Sequence, residues 1–240
     1  MPFKHTGGID LSLRKSSLAT KQHTLAICAR LFLEQGYRET TIKQITTQAG
    51  ISNSSFQNFF RSKEGVLAEL VQIVFQGQFT AAQLAAGEAL PLHFTYALET
   101  TIQLVLTEQN EKLRELYIAA YAQPETVEYI HESTARELLR IFGARFPGYS
   151  AQDFYELEIG SAGLMSSYMA KPCGNHFPLE RKIQRFLTSA LRIYRVSEEE
   201  IEQTLAFLAS MDIENFAATV LQQLFSAISQ RFGREEEAAS

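Results

Sequence analysis

Residues Thr41–Leu70, TIKQITTQAGISNSSFQNFFRSKEGVLAEL, carry two short helical patterns joined by a tight turn and followed by a longer third pattern. Thr41 and Gln44 have the spacing of a capping box, in which each side chain satisfies a free amide at the start of the helix. This predicts a helix from Ile42, with Ile42, Ile45 and Ala49 inward and Gly50 ending it. Only Gly50 and Ile51 then precede Ser52, which can cap a further short helix anchored by Phe56, Phe59 and Phe60. Two short helices on such a glycine-containing turn are a helix-turn-helix candidate. Ser62 caps the third helix, expected over about 63–86, with Val66, Leu67, Leu70, Val71 and Val74 along one face.

Working outward, Leu25, Cys28, Ala29 and Phe32 fall at i, i+3, i+4 and i+7, a single apolar stripe that predicts a helix over about 21–35. Gly36 stands where a left-handed cap would stop it. Residues 1–19 show little periodicity and are expected to form a flexible basic arm. Downstream, no strand-like alternation outlasts a few residues. Pro91, Pro124 and Pro178 stand near the starts of periodic stretches, where a missing amide costs nothing. Helices are expected at about 91–108, 111–121, 124–145, 151–170, 178–195, 198–210 and 213–232, with a second capping box at Ser197 and Glu200. The fold class is therefore all-α. A three-helix helix-turn-helix domain occupies 20–63, a larger helical ligand-binding and dimerisation domain 64–233, and an acidic tail 234–240.

Charge divides along the same line. The 240 residues carry a net charge of -5. Residues 1–63 hold nine basic against three acidic groups, +6, and the remainder 13 against 24, -11. A basic head on an acidic body suits a phosphate-binding module attached to a domain that does not touch nucleic acid. Cys28 and Cys173 belong to no Cys/His cluster, so neither a disulfide framework nor a zinc site is expected. The chain shows no signal peptide and no apolar run of membrane-spanning length, and a soluble cytoplasmic protein is expected.

The stretch from Thr20 to Leu70 resembles the DNA-binding domain of the TetR family of regulators. The resemblance lies in Leu31-Phe32 before Gly36-Tyr37, the Thr40-Thr41 pair, Ile45, Ala49-Gly50-Ile51-Ser52, Phe60, and Ser62-Lys63-Glu64 before Leu67. It implies a homodimer on a near-palindromic operator in double-stranded DNA, usually a repressor released by a small ligand. The chain departs from the family pattern in the recognition helix. Ser54 stands where a glycine-like residue is usual, Gln57 where a phosphate-touching tyrosine is usual, and Phe59 in place of His or Tyr.

Asn53, Ser54, Ser55, Gln57 and Asn58 concentrate amides and hydroxyls on one short helix, and Asn or Gln can pair bidentately with adenine in the major groove. Thr41 and Lys63 are candidate phosphate clamps because each stands at a helix start; Lys43 and Arg61 are further candidates. In the body, Phe75, Phe79, Phe94, Tyr96, Tyr117, Tyr121, Tyr129, Met165 and Tyr168 are candidate walls of a cavity for a small apolar or amphipathic ligand, among aromatics that otherwise fill the core. Phe142 and Met169 share the pattern, and His93 and His131 could orient such a ligand. Small residues at Gly160-Ser161-Ala162-Gly163 make 151–170 a candidate half of a dimer bundle, with Phe216, Val220, Leu224, Phe225 and Ile228 of the last helix as the other half. The alternative is that these residues pack within one subunit.

No catalytic, metal or cofactor motif is present: GxSxG, HExxH, Walker and GxGxxG patterns are absent and the five histidines are scattered. No cofactor and no enzymatic activity are expected. The departure at Gln57 leaves open a helical small-molecule-binding protein whose helix-turn-helix no longer binds DNA, or an assembly protein using that module for protein contacts.

Overall fold

A computed structural model describes residues 7–87 and 90–237. Among them are eleven α-helices and no β-strand: α1 (Gly7–Glu34), α2 (Ile42–Ala49), α3 (Asn53–Phe60), α4 (Lys63–Ala86), α5 (His93–Gln109), α6 (Glu111–Ala122), α7 (Pro124–Phe142), α8 (Ala151–Ala170), α9 (Leu179–Ile193), α10 (Glu198–Ala209) and α11 (Ile213–Glu237). A 3-10 turn, Gly143–Arg145, follows α7.

The caps act as their spacing requires. Thr41 and Gln44 form the reciprocal box on α2, Ser62 accepts from the Gly65 amide at the head of α4, and Ser197 with Glu200 boxes α10. Gly50 closes α2 with φ +64°. A further box, Ser150 with Asp153, opens α8. The ends of the chain differ from expectation. α1 starts at Gly7, so most of the expected arm is helical; with no proline between Pro2 and the end of α1, extending an existing helix costs far less than nucleating one. Residues 1–6 lie outside the described residues. α11 likewise runs into the expected tail, of which residues 238–240 lie outside the described residues.

Two cores share one helix. The N-terminal core joins Leu25, Cys28, Phe32, Ile45, Phe56 and Phe60 to Val66, Leu67, Leu70 and Phe75 of α4, reaching Ala120 of α6 and Ile130 of α7. A division at residue 63 would thus cut through the packing of α4. Ile42 is 36% exposed rather than inward, because it is the first residue of α2, at the end of the inward stripe. The second core surrounds α5, which touches α4 and each of α6 to α11. Every residue from His93 to Thr107 is buried, including Glu99, Thr100 and Gln103. An all-round buried helix is normally apolar, so the polar groups at its middle must find hydrogen-bond partners inside the protein.

α8 divides its small residues. Ser161 and Ala162 face inward, whereas a Cβ at Gly160 or Gly163 would meet nothing within 4 Å, and Ile159 beside them is 51% exposed. In α11, Val220 and Leu224 are buried in the second core, and Leu224 covers Gly77 of α4. Phe216 packs against the same core only partly buried, so the stripe expected to serve a dimer bundle is in part an intramolecular contact. The side chains of Phe225 and Ile228 lie outside the described residues. No single helix among the described residues is long and apolar enough to cross a membrane.

Candidate nucleic-acid interface and effector cavity

α3 is held by its phenylalanines. Phe56 and Phe60, one turn apart, are buried with ring centroids 5.4 Å apart, and Phe59 packs edge-on against Phe60 at 6.0 Å. At 100° per residue this turns Asn53 and Gln57, and beside them Ser54 and Asn58, to solvent. The first turn is tied down: the Ser52 hydroxyl accepts from the Ser55 amide and lies 2.8 Å from the Ser54 hydroxyl, and Thr46 donates to Asn53 Oδ1 at 3.4 Å. Gln57 and Asn58 make no side-chain hydrogen bond among the described residues, so their amides are available outward. Thr41 and Lys43 are exposed at the start of α2. Arg61, also exposed, closes α3 in the left-handed region with φ +62°.

Lys63 is placed differently from the expectation. Its ammonium donates to the carbonyls of Tyr37 at 2.8 Å, Thr40 at 3.0 Å and Arg38 at 3.4 Å, and sits 4.5 Å from the centre of the Tyr37 ring. An ammonium has three N–H groups, and all three are engaged with the turn between α1 and α2. Lys63 thus braces the turn between α1 and α2 from the head of α4. A second brace comes from the body: Glu115 of α6 accepts from the Arg38 amide at 2.7 Å. The helix-turn-helix is therefore held by α4 on one side and α6 on the other.

Two cavities lie where those helices enter the body. One of about 60 Å³ is lined by apolar groups of α1, α4, α6 and α11 with Gln78 and Tyr117. The other, about 20 Å³, lies between α4, α5, α6, α7, α8 and α9. Phe75 lines both. Gln78 donates to the Tyr117 hydroxyl in a buried pair that belongs to the first. Of the expected ligand residues, Phe75, Phe79, Tyr96, Tyr121 and Met165 line the smaller cavity and Tyr117 the larger. Phe94 instead packs on Phe207, and Tyr168 on Phe177 and Phe186. Tyr129 borders a surface groove behind Phe75 and Phe79. His93 packs against Phe94 and His131 against Tyr155, and neither lines these two cavities. Phe142 stacks on Tyr194 at 4.5 Å, and Met169 is core.

The smaller cavity is more polar than an aromatic pattern suggests. Glu99 and Glu158 are 2% and 4% exposed. Gln103 donates to Glu99 at 2.5 Å; Ser161 donates to Glu158 at 2.5 Å and Tyr194 does so at 3.4 Å. Burial pushes the Glu99 carboxyl up to about 7 and that of Glu158 up to about 8, the latter raised further by the charge of Glu99. Gln103 Oε1 and Thr134 Oγ1 are buried on the cavity wall without a partner. The sequence signals existed: Glu99 is the lone charge in the run from His93 to Thr107, and Glu158 sits with Phe154, Ala162 and Met165 in the apolar stripe of α8.

Comparison with known proteins agrees with this architecture. Residues 25–70 match the family described as bacterial regulatory proteins, tetR family. The HTH-type transcriptional regulator AcrR of Shigella flexneri is 24% identical over 110 residues, covering 42% of this chain and 48% of that regulator. The chain thus spans about half the length of this curated relative in the match. The crystal structure of RolR in complex with its ligand resorcinol shares the fold, with a TM-score of 0.63 at 17% identity over 80% of this chain and 95% of that one.

Proposed function

We propose that this chain, a member of the TetR family through its DNA-binding domain, is a homodimeric repressor that leaves a near-palindromic operator when a small amphipathic ligand enters the helical body. The observation that carries the reading is α4, which is at once a wall of both cavities through Phe75 and a support of the helix-turn-helix through Lys63, Val66 and Leu67. A ligand that displaces Phe75 acts on the helix that sets the position of α3. Such coupling amounts to about 1–3 kcal/mol and is reciprocal. That RolR, of like fold, forms a complex with resorcinol supports a small ligand.

α3 enters the major groove with Gln57 and Asn58 toward base edges and Asn53, Ser54 and Ser55 at its leading turn, while Thr41, Lys43 and Arg61 face phosphates. Reaching two successive grooves requires two copies of α3 about 34–36 Å apart. The outer face of α8, with Ile159, Gly160 and Gly163 uncovered, is the surface proposed to pair with a second copy.

The test is selection of bound duplexes from a random pool, followed by fluorescence anisotropy as a function of salt. A two-fold-related site is expected, and Asn58→Ala should cost about 1–3 kcal/mol at one base pair of each half-site. Binding with no salt-sensitive sequence preference would favour a module that no longer reads DNA.

A further inference from the structure

We propose that the polar end of the cavity between α5 and α8 binds an organic cation, an ammonium group held by Glu99 and Glu158 with its apolar substituent against Phe75, Phe79 and Tyr121. The inference rests on the reading of the chain as a ligand-responsive regulator and specifies the ligand's chemistry.

The cavity wall is unbalanced in donors and acceptors. Two carboxyls face the cavity, with Gln103 Oε1 and Thr134 Oγ1 buried beside them and unpartnered. The amide N–H of Gln103 and the hydroxyl of Ser161 are already directed at the carboxyls. The site has no lysine, arginine or histidine to pair with an anion, and either carboxyl repels one as soon as it ionises. A purely apolar ligand would leave the buried acceptors unpaired, at the full cost of their desolvation. An ammonium brings three donors and no acceptor, and aromatic faces around it add cation–π attraction.

Charge compensation is available in the same place. At about pH 6 both carboxyls hold protons in the empty cavity, because burial disfavours their ionised form, and Glu99 begins to ionise near 7 before Glu158 does near 8. On binding, a carboxyl O–H ionises, its proton passes to solvent, and the carboxylate pairs with the incoming ammonium, so no net charge is buried. The other titratable groups facing the pair are Tyr96, Tyr117, Tyr121 and Tyr194, all raised by burial and neutral throughout this range.

Size sets the conformational consequence. About 20 Å³ holds a group the size of a water or an ammonium head. The substituent needs the adjoining apolar cavity of about 60 Å³, which Phe75 separates from the first. Occupation therefore turns Phe75 and strains the Gln78–Tyr117 pair, both on the helices that brace the helix-turn-helix.

The experiment is isothermal titration of the full-length protein with ω-phenylalkylamines of increasing chain length, each beside the alcohol and the carboxylic acid of the same length. Amines should bind, alcohols at least roughly tenfold more weakly, and acids not at all. Glu99→Gln and Glu158→Gln should each weaken the amine about tenfold or more while leaving the alcohol unchanged. Circular dichroism at pH 6 should show both variants folded. Amine affinity should rise from pH 6 to pH 8, with proton release at pH 6 seen as a dependence of the binding heat on buffer. The proposal is overturned if alcohols or acids bind as tightly as amines, if the glutamine variants keep full amine affinity, or if no amine binds. Operator anisotropy with the same compounds separates the two readings. Amines that bind without weakening operator affinity sustain the cation site and sink ligand-responsiveness; an alcohol that alone releases the operator does the reverse.

Discussion

Replacing Lys63 by alanine should damage the DNA-binding domain without changing how its affinity depends on salt. The ammonium converges on three backbone carbonyls of residues 37–40 and lies over the Tyr37 ring. Hydrogen bonds from a charged donor contribute about 1.5–3 kcal/mol each when buried. Lys63 is half-buried, and water can replace part of what is lost, so the expected total is about 2–3 kcal/mol. With a urea dependence of about 2–3 kcal/mol per molar, the unfolding midpoint should drop by about 1 M. Each phosphate neutralised by a cation contributes about 0.9 to the slope of log affinity against log salt. Lys63→Ala should leave that slope unchanged, because its charge already serves the α1–α2 turn, whereas Lys43→Ala should reduce it by about one per subunit. Urea denaturation followed by circular dichroism, with anisotropy between 50 and 300 mM salt (about the range in which such slopes are read), measures both. An unchanged midpoint together with a slope reduced by about one would refute the brace.

Stability should fall as pH rises from about 5 to 8. The buried carboxyls of Glu99 and Glu158 keep their protons up to about 7 and about 8 when folded, whereas the unfolded chain gives them up near the ordinary 4.5. The folded state thus binds more protons across that window, and each group costs up to about 1.4 kcal/mol per pH unit; in the Glu99→Gln/Glu158→Gln chain the thermal midpoint should be much flatter, and an identical decline would count against the burial of these groups. Gly65→Ala should cost about 3 kcal/mol or more, since its Cβ would lie 2.0 Å from the Phe60 carbonyl oxygen, a backbone atom that cannot yield without moving α3; a wild-type urea midpoint would contradict this. Arg61→Gly relieves a left-handed residue and should raise stability by about 1 kcal/mol. The same substitution should lower the salt slope, so a variant both less stable and unaltered in slope would remove Arg61 from the strained cap and the phosphate contacts alike.

What the sequence determined by itself is local. The caps at Thr41, Ser52, Ser62 and Ser197, the glycine stop at Gly50 and the spacing of Phe56 and Phe60 each depend on residues within a turn or two of one another. The positions of the internal helices and the outward amides of Gln57 and Asn58 are therefore legible in the sequence, whereas the extension of α1 back to Gly7 is not. Which groups meet across long separations depends on how the helices pack. Lys63 finds the carbonyls of Tyr37 and Thr40 through the return of α4 alongside α1, so its charge reads as a DNA contact until that contact is seen. Val220 and Leu224 have the spacing of an interface stripe, and only the placement of α11 against α4 shows them already buried. Glu99 and Glu158 stand 59 positions apart on helices that sequence treats independently. Their shared cavity exists because α5 is enclosed on every side, and the energy of a charge depends on what surrounds it in space, which periodicity along one helix does not record.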